Sequence, residues 1–311
     1  MTLLLTILGP TACGKTALAV QVADRLDAEI ISADSRQVFR GMDIGTGKDL
    51  DEYCLPHRTI PCHLVDIRDA GTEYNLYQFQ NDFINALNTI EANGHRAIMC
   101  GGTGMYIESI VRGYQLPDAP IDHEYRASLE QYSDEELTQR LAALIKLHNH
   151  TDTETRDRLV RALEIQEFRK NHPEEFTRLP EMRHLIVGVA FPRETVVERI
   201  GIRLRQRLEN GMIEEVRSLL NAGVPKERLL KYGLEYKHLA RYLTEDYPYN
   251  EMFENLYTDI RRFSKRQMTW FRRMERNGVD IHWIDGQCDL NSKIEQVLRL
   301  YGEAENALSA S

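Results

Sequence analysis

Gly9-Pro10-Thr11-Ala12-Cys13-Gly14-Lys15-Thr16 stands between the apolar run Leu3-Leu4-Leu5-Thr6-Ile7-Leu8 and a helical pattern opening with Ala17-Leu18-Ala19-Val20. The spacing is that of the phosphate-binding loop G-x-x-x-x-G-K-[ST], in the strand–loop–helix setting the motif requires. Glycines let backbone N–H groups curl around phosphate oxygens, and the following helix offers its positive N-terminus. Lys15 supplies a mobile cation, and the Thr16 hydroxyl is placed to hold Mg²⁺. A turn that merely connects strand to helix would need four fixed residue types to coincide here, and is the weaker reading.

Outward from the loop, Val22, Ala23 and Leu26 continue an amphipathic helix and Glu29-Ile30-Ile31-Ser32 reads as a short buried strand. The pattern recurs with a helix over Leu76–Ile90, a turn at Asn93-Gly94, a strand over Ala97–Cys100, the turn Gly101-Gly102-Thr103-Gly104 and a helix from Met105. Alternating strands and helices predict an α/β fold, a P-loop NTPase-like parallel sheet flanked by helices. Past Pro117 and Pro120 strand signals stop, and a charged helical stretch from about Asp122 to about Lys170 reads as an inserted helical domain. Strand character returns at His184–Phe191, helices dominate from Arg193 to Arg276, and Val279–Ile284 reads as a last strand. The expected division is a core of residues 1–117 plus 184–311 and an insert of residues 118–183, with the tail Glu303–Ser311 disordered.

The chain has 311 residues, enough for a sizeable core in two domains or one domain with a large insertion. Leu3–Leu8 is too short for a membrane span and lacks a basic flank, so a soluble protein is expected. Cys13, Cys54, Cys62, Cys100 and Cys288 are odd in number without C-x-x-C spacing, which points to a reducing cytoplasm and away from disulfides or zinc. A net charge of −9 argues against diffuse attraction to nucleic acid while leaving room for a local basic patch.

In open parallel sheets ligands gather at the carboxyl ends of strands. Asp34, in Ser32-Ala33-Asp34-Ser35-Arg36-Gln37, therefore stands beside the phosphate site as a general base, a magnesium-shell carboxylate or a turn cap, and spacing leaves the three open. Thr103 either points a hydroxyl at the phosphate or starts a helix. Arg199, Arg203, Arg205 and Arg207 follow the late strand, and one of them could reach the phosphate. Near the C-terminus Arg261, Arg262, Lys265, Arg266, Arg272, Arg273 and Arg276 interleave with Phe263, Trp270 and Phe271, which suits a nucleic-acid backbone and an unstacked base. Arg156, Arg158 and Arg161 form a second basic set, for which ordinary surface pairing with neighbouring acids is a strong competitor.

Gly9–Thr16, Ile31–Thr46 with its Ser-Ala-Asp-Ser-Arg-Gln core, Gly101–Tyr106 and Lys265–Arg272 together resemble the tRNA dimethylallyltransferase family, in the right order over nearly the whole chain. The resemblance implies transfer of a dimethylallyl group from dimethylallyl diphosphate to N6 of adenosine 37, in the anticodon stem-loop of tRNAs reading codons that begin with U. The loop Gly9, Pro10, Thr11, Ala12, Cys13, Gly14, Lys15 and Thr16 would then hold a diphosphate leaving group and not ATP, with Mg²⁺ on Thr16. By similarity Asp34 is the general base, Thr103 positions the reacting groups, and Arg203 steadies the diphosphate. Asp34, Ser35, Arg36, Gln37, Thr103, Arg126, Asp157, Arg158, Arg161, Lys265, Arg266, Gln267, Trp270 and Arg272 match positions that contact tRNA. A cytoplasmic monomer is expected. The chain departs from the family pattern at Cys13, mostly serine in relatives, and at Glu235, which replaces a glycine in Leu234-Glu235-Tyr236-Lys237.

Three other readings compete. A small-molecule or nucleotide kinase would use the same loop for ATP and want a strand-end carboxylate for magnesium, which Asp66 could supply. A GTP switch lacks its N-K-x-D motif, since Lys48 and Asp49 are adjacent. An enzyme prenylating free adenylate would keep Asp34 but has no use for Lys265–Arg272 or the insert.

Overall fold

The computed structural model describes residues 2–145, 153, 155–172 and 178–309. It divides into two compact units, residues 1–112 with 180–311 and residues 113–179.

The larger unit is built on a six-stranded sheet, β1 (Thr2–Leu8), β2 (Ala28–Ala33), β3 (Cys62–His63), β4 (Arg96–Gly101), β5 (Met182–Ala190) and β6 (His282–Asp285). Its order is β3-β2-β4-β1-β5-β6, and every neighbouring pair is parallel. The helices along the chain are α1 (Lys15–Leu26), α2 (Leu76–Ala92), α3 (Gly104–Val111), α4 (His123–Leu129), α5 (Asp134–Leu144), α6 (Arg156–Asn171), α7 (Arg193–Glu209), α8 (Met212–Asn221), α9 (Lys226–Leu229), α10 (Leu234–Thr244), α11 (Tyr249–Arg276) and α12 (Leu290–Ser309). A short 3-10 helix covers Leu50–Tyr53.

Strand β1 is apolar on both faces because helices cover both faces, and Leu4, Leu5, Ile7 and Leu8 are completely buried. The register fixes where the chemistry sits. Leu8 pairs with Gly101 on one side and Gly188 on the other, and Ala33 pairs with Gly101. The ends of β1, β2 and β4 therefore lie level, with β5 running two residues further to Ala190, and the residues just beyond them share one edge of the sheet.

Several boundaries differ from the sequence expectation. The seam of the insert falls after Arg112 and before Pro180, because α3 ends at Val111 and β5 begins already at Met182. Strand β6 starts at His282, since Gly278 and Val279 still close α11 through N–H bonds to the carbonyls of Glu275 (2.9 Å) and Met274 (3.0 Å). The tail expected to be disordered is helical as far as Ser309. Ile294, Val297 and Tyr301 are buried in the core under β1 and β5, with Ala304 and Leu308 packed beside them. That apolar stripe at helical spacing supplies the physical reason, while Ala310 and Ser311 lie outside the described residues. Among the described residues no helix is long and apolar enough to cross a membrane.

The smaller unit contains α4, α5 and α6 around Leu129, Leu137, Leu141, Leu159 and Leu163. Asp122, Ser133 and Thr155 cap these helices with side-chain oxygens.

Candidate active site

Beyond β1 the loop places Ala12 (φ 62) and Gly14 (φ 76) in the left-handed region, a backbone that turns successive N–H groups toward one point and forms an anion nest. Cys13 is buried, with Sγ packed against Gly9. Two distant residues hold the loop. The Thr11 N–H donates to Gln267 Oε1 (2.9 Å), and Arg199 Nε donates to the Ala12 carbonyl (2.7 Å). Lys15 and Thr16 are half-buried at the start of α1.

Asp34 stands one residue past β2. Its Oδ1 accepts the Arg36 N–H (2.9 Å), an Asx turn that fixes the carboxylate, while Oδ2 has no hydrogen bond among the described residues. The turn-cap and the reactive readings are thus compatible, because each uses a different oxygen. Thr103 Oγ1 accepts the Ser35 N–H (3.1 Å), and the Thr103 N–H donates to the Ala33 carbonyl (3.2 Å). The threonine therefore ties the β4 turn to the chain that carries Asp34, and it does not cap α3 with its side chain. Gln37 is spent inside its own loop, accepting from Ser32 Oγ (2.8 Å) and donating to the Gly47 carbonyl (3.0 Å). Arg36 has no ion pair among the described residues. Burial lowers its guanidinium, opposed by the nearby Asp34, Tyr106, Tyr232 and Glu235.

The four arginines after β5 separate by helix geometry. Arg199, Arg203 and Arg207 recur every four residues on one face of α7. Arg203 is ion-paired with Asp49, Arg207 lies 3.6 Å from the same carboxylate, and Arg205 instead stacks on Phe253 (5.5 Å to the ring centroid). Glu52 faces this group. Burial and Asp49 raise its carboxyl, against Arg203, Lys15 and Arg207. Burial likewise raises Glu235, which faces Arg207, Arg203 and Asp34. No sequence motif marked Asp49, Glu52 or Glu215 for this region. The Glu215 carboxylate accepts the N–H groups of Asp43 (2.8 Å), Ile44 (2.6 Å) and Gly45 (3.1 Å), anchoring the loop after β2.

Asp66, the carboxylate a kinase would offer to magnesium, is ion-paired to Lys48. That fully buried lysine also bonds Asp43 Oδ1 (2.5 Å) and the Phe39 carbonyl (2.7 Å). Among the described residues no group of three or more His, Cys, Asp or Glu is arranged to hold a metal. The donor set that does exist, one Thr16 hydroxyl beside an anion nest, fits a magnesium ion that takes most of its ligands from substrate phosphates and water.

On α11 the basic and aromatic residues are interleaved, with Phe263 exposed under Arg266 (5.8 Å to the ring centroid). Arg261, Arg262, Lys265, Arg266, Arg272 and Arg276 are exposed, and Phe271 is buried in the core. Gln267, matched above to tRNA contact, has a different task in the structure. It is buried, and its Nε2 donates to the Gly102 carbonyl (2.8 Å) while its Oε1 holds Thr11. Trp270 packs over Gly104 with Arg273 stacked on its ring (3.9 Å), and Arg273 pairs with buried Glu108 (2.7 Å).

In the smaller unit Arg126 and Arg161 converge on buried Glu164. Arg126 binds it through Nε and Nη2 (2.9 Å each), Arg161 adds an ion pair and a bond to the Ala119 carbonyl (2.6 Å), and the Asp122 N–H adds another (2.7 Å). Burial would raise the Glu164 carboxyl, but these hydrogen bonds outweigh it and hold the group below the ordinary glutamate value. Asp157 and Arg158 are exposed on α6.

The sequence pattern of the family described as IPP transferase matches residues 37–274. The chain is 54% identical over 299 residues to tRNA dimethylallyltransferase 2 of Porphyromonas gingivalis, covering 96% of this chain and 99% of that one. It is 51% identical over 284 residues to tRNA dimethylallyltransferase 2 of Pelobacter propionicus, covering 91% and 90%. Among solved structures, the full-length tRNA isopentenylpyrophosphate transferase of Bacillus halodurans superposes with a TM-score of 0.72 at 30% identity, covering all of both chains.

Proposed function

The chain belongs to the IPP transferase family, and on that footing we propose that it transfers a dimethylallyl group from dimethylallyl diphosphate to tRNA, at N6 of adenosine 37 beside the anticodon in tRNAs that read codons beginning with U. One observation carries the reading. The anion nest after β1 and the Asp34 carboxylate after β2, one oxygen of which has no hydrogen bond among the described residues, share a single sheet edge flanked by Lys15, Arg199, Arg203 and Arg207.

An exocyclic adenine amine is a poor nucleophile because its lone pair is delocalised into the ring. Asp34 Oδ2 accepts the N6 proton as the new N–C bond forms at the allylic carbon. The C–O bond of the donor breaks in the same reaction, and its electron pair leaves with pyrophosphate. Lys15, the loop N–H groups and Arg203 stabilise the charge that grows there. Magnesium, when bound at Thr16, offsets part of the same charge. The base must leave its stack to reach Asp34, which accounts for a separate RNA-binding surface. Lys265, Arg266 and Arg272 on the exposed face of α11 suit the phosphate backbone, as does Arg158 on α6. On this reading the enzyme works in the cytoplasm as a monomer.

Incubation with radiolabelled dimethylallyl diphosphate and either unmodified tRNA or AMP tests the proposal. Label is expected in tRNA. Label in AMP alone would assign the chain to adenylate prenylation, and ATP consumption without prenyl transfer would make it a kinase.

A further inference from the structure

Arg203 and Arg207 face one carboxylate. Asp49 is tightly paired with Arg203, and Arg207 Nη2 lies 3.6 Å from the same Asp49 oxygen, just beyond hydrogen-bond reach. That nitrogen is buried and has no acceptor among the described residues. It lies so close over Gly47 (φ 66) that a Cβ there would come within 1.8 Å of it, and the Arg207 side chain is only 13% exposed. A buried guanidinium donor left unmatched is costly. Here the remedy is adjacent, since a shift of under about 1 Å by Asp49 would bring its carboxylate within the normal N–H···O range.

We propose that Arg207 is a positioning residue that takes over the Asp49 carboxylate when Arg203 turns to the diphosphate. The inference rests on the reading of the substrate as a diphosphate. Arg203 cannot serve an anionic ligand fully while Asp49 occupies it, and Asp49 released without a partner would repel that ligand. Handing the carboxylate to the neighbouring arginine resolves both. It frees a cation for the leaving group and keeps the displaced anion paired, and it satisfies the buried Nη2. The two arginines sit one helical turn apart, so one small carboxylate movement exchanges them. The raised Glu52 and Glu235 carboxyls in the same region are in keeping with a site where excess negative charge is unwelcome.

The test is a double-mutant cycle on binding of inorganic pyrophosphate, read by calorimetry for wild type, Arg207→Met, Asp49→Asn and the double variant. In the Asp49 background R207M should weaken binding by at least about tenfold, the worth of one charge-assisted hydrogen bond. In the D49N background the same change should cost less than about threefold, because no carboxylate then needs a second home. Equal losses in both backgrounds, or no loss in either, would overturn the proposal. If R207M does not fold, Arg207→Lys, which keeps the charge, should hold affinity within a few-fold of wild type. A crystal structure of the wild-type pyrophosphate complex gives an independent readout. Asp49 within hydrogen-bond distance of Arg207 is expected, and Asp49 still on Arg203 would refute the exchange. Failure of the wild type to bind pyrophosphate at all would instead refute the diphosphate reading.

Discussion

Gln267 and Thr11 are 256 positions apart in sequence and are joined by a 2.9 Å hydrogen bond from the Thr11 N–H to the glutamine Oε1. Through its other end Gln267 donates to the Gly102 carbonyl, so one side chain of α11 fixes the phosphate loop against the turn after β4. Gln267→Leu leaves the buried Gly102 carbonyl unmatched, at about 1–3 kcal/mol, and the half-buried Thr11 N–H without its partner at a smaller cost. We expect the KM for dimethylallyl diphosphate to rise about tenfold or more while tRNA affinity stays within about twofold, measured by steady-state kinetics and filter binding. A residue whose task is to contact RNA would give the opposite split.

Lys48 is the fully buried cation that closes the loop after β2, with Asp43, Asp66 and the Phe39 carbonyl around it. Lys48→Met removes the one positive partner of that cluster. A loss of about 3 kcal/mol is expected, at the lower end for a broken buried pair because both aspartates are partly hydrated. Urea unfolding measures it, and a change below about 1 kcal/mol would place the stabilisation elsewhere.

Glu164 organises the smaller unit and has its carboxyl held down by Arg126 and Arg161 against the raising effect of burial. Between the lowered folded value and the ordinary 4.5, the unfolded chain binds the extra proton, so stability rises with pH in that window. The Glu164 contribution is complete above pH 4.5 and lost as pH falls through the folded value. The stability gap between wild type and Glu164→Gln should therefore narrow on acidification below pH 4.5, as followed by amide exchange of the Asp122 N–H that bonds Glu164.

The exposed and paired arginines of α11 should behave differently with salt. Arg272→Ala is expected to lower the slope of log binding constant against log salt by about 0.7–0.9, the loss of one phosphate contact. Arg273→Ala should leave the slope unchanged and lower stability, since Arg273 is committed to Glu108 and the Trp270 ring. Binding titrations between 50 and 200 mM salt, a range over which such contacts weaken by roughly orders of magnitude, separate the two.

The phosphate loop, the strand-end position of Asp34 and the basic face of α11 were legible in the sequence because each depends on local pattern or on the two periods of helix and strand. The tasks of Gln267, Asp49 and Glu215 were not. Each is a polar residue whose partner lies far along the chain, and nothing in spacing announces that partner. Helical periodicity could separate Arg205 from Arg199, Arg203 and Arg207, but only the position of Asp49 shows how the last two share a counter-charge. From sequence Arg126 and Arg161 match positions that contact tRNA, with surface pairing the competitor for Arg161, and only the burial of Glu164 between them shows an internal ion cluster. The two-residue strand β3 is too short to carry any periodicity.

One oxygen of Asp34 caps its turn, and the other has no hydrogen bond among the described residues. Asp34→Asn keeps the capping oxygen and removes the basicity. The single-turnover rate of dimethylallyl transfer to tRNA should fall by about 10²–10⁴-fold with tRNA binding unchanged. A rate within about tenfold of wild type, with binding intact, would contradict Asp34 as the proton acceptor.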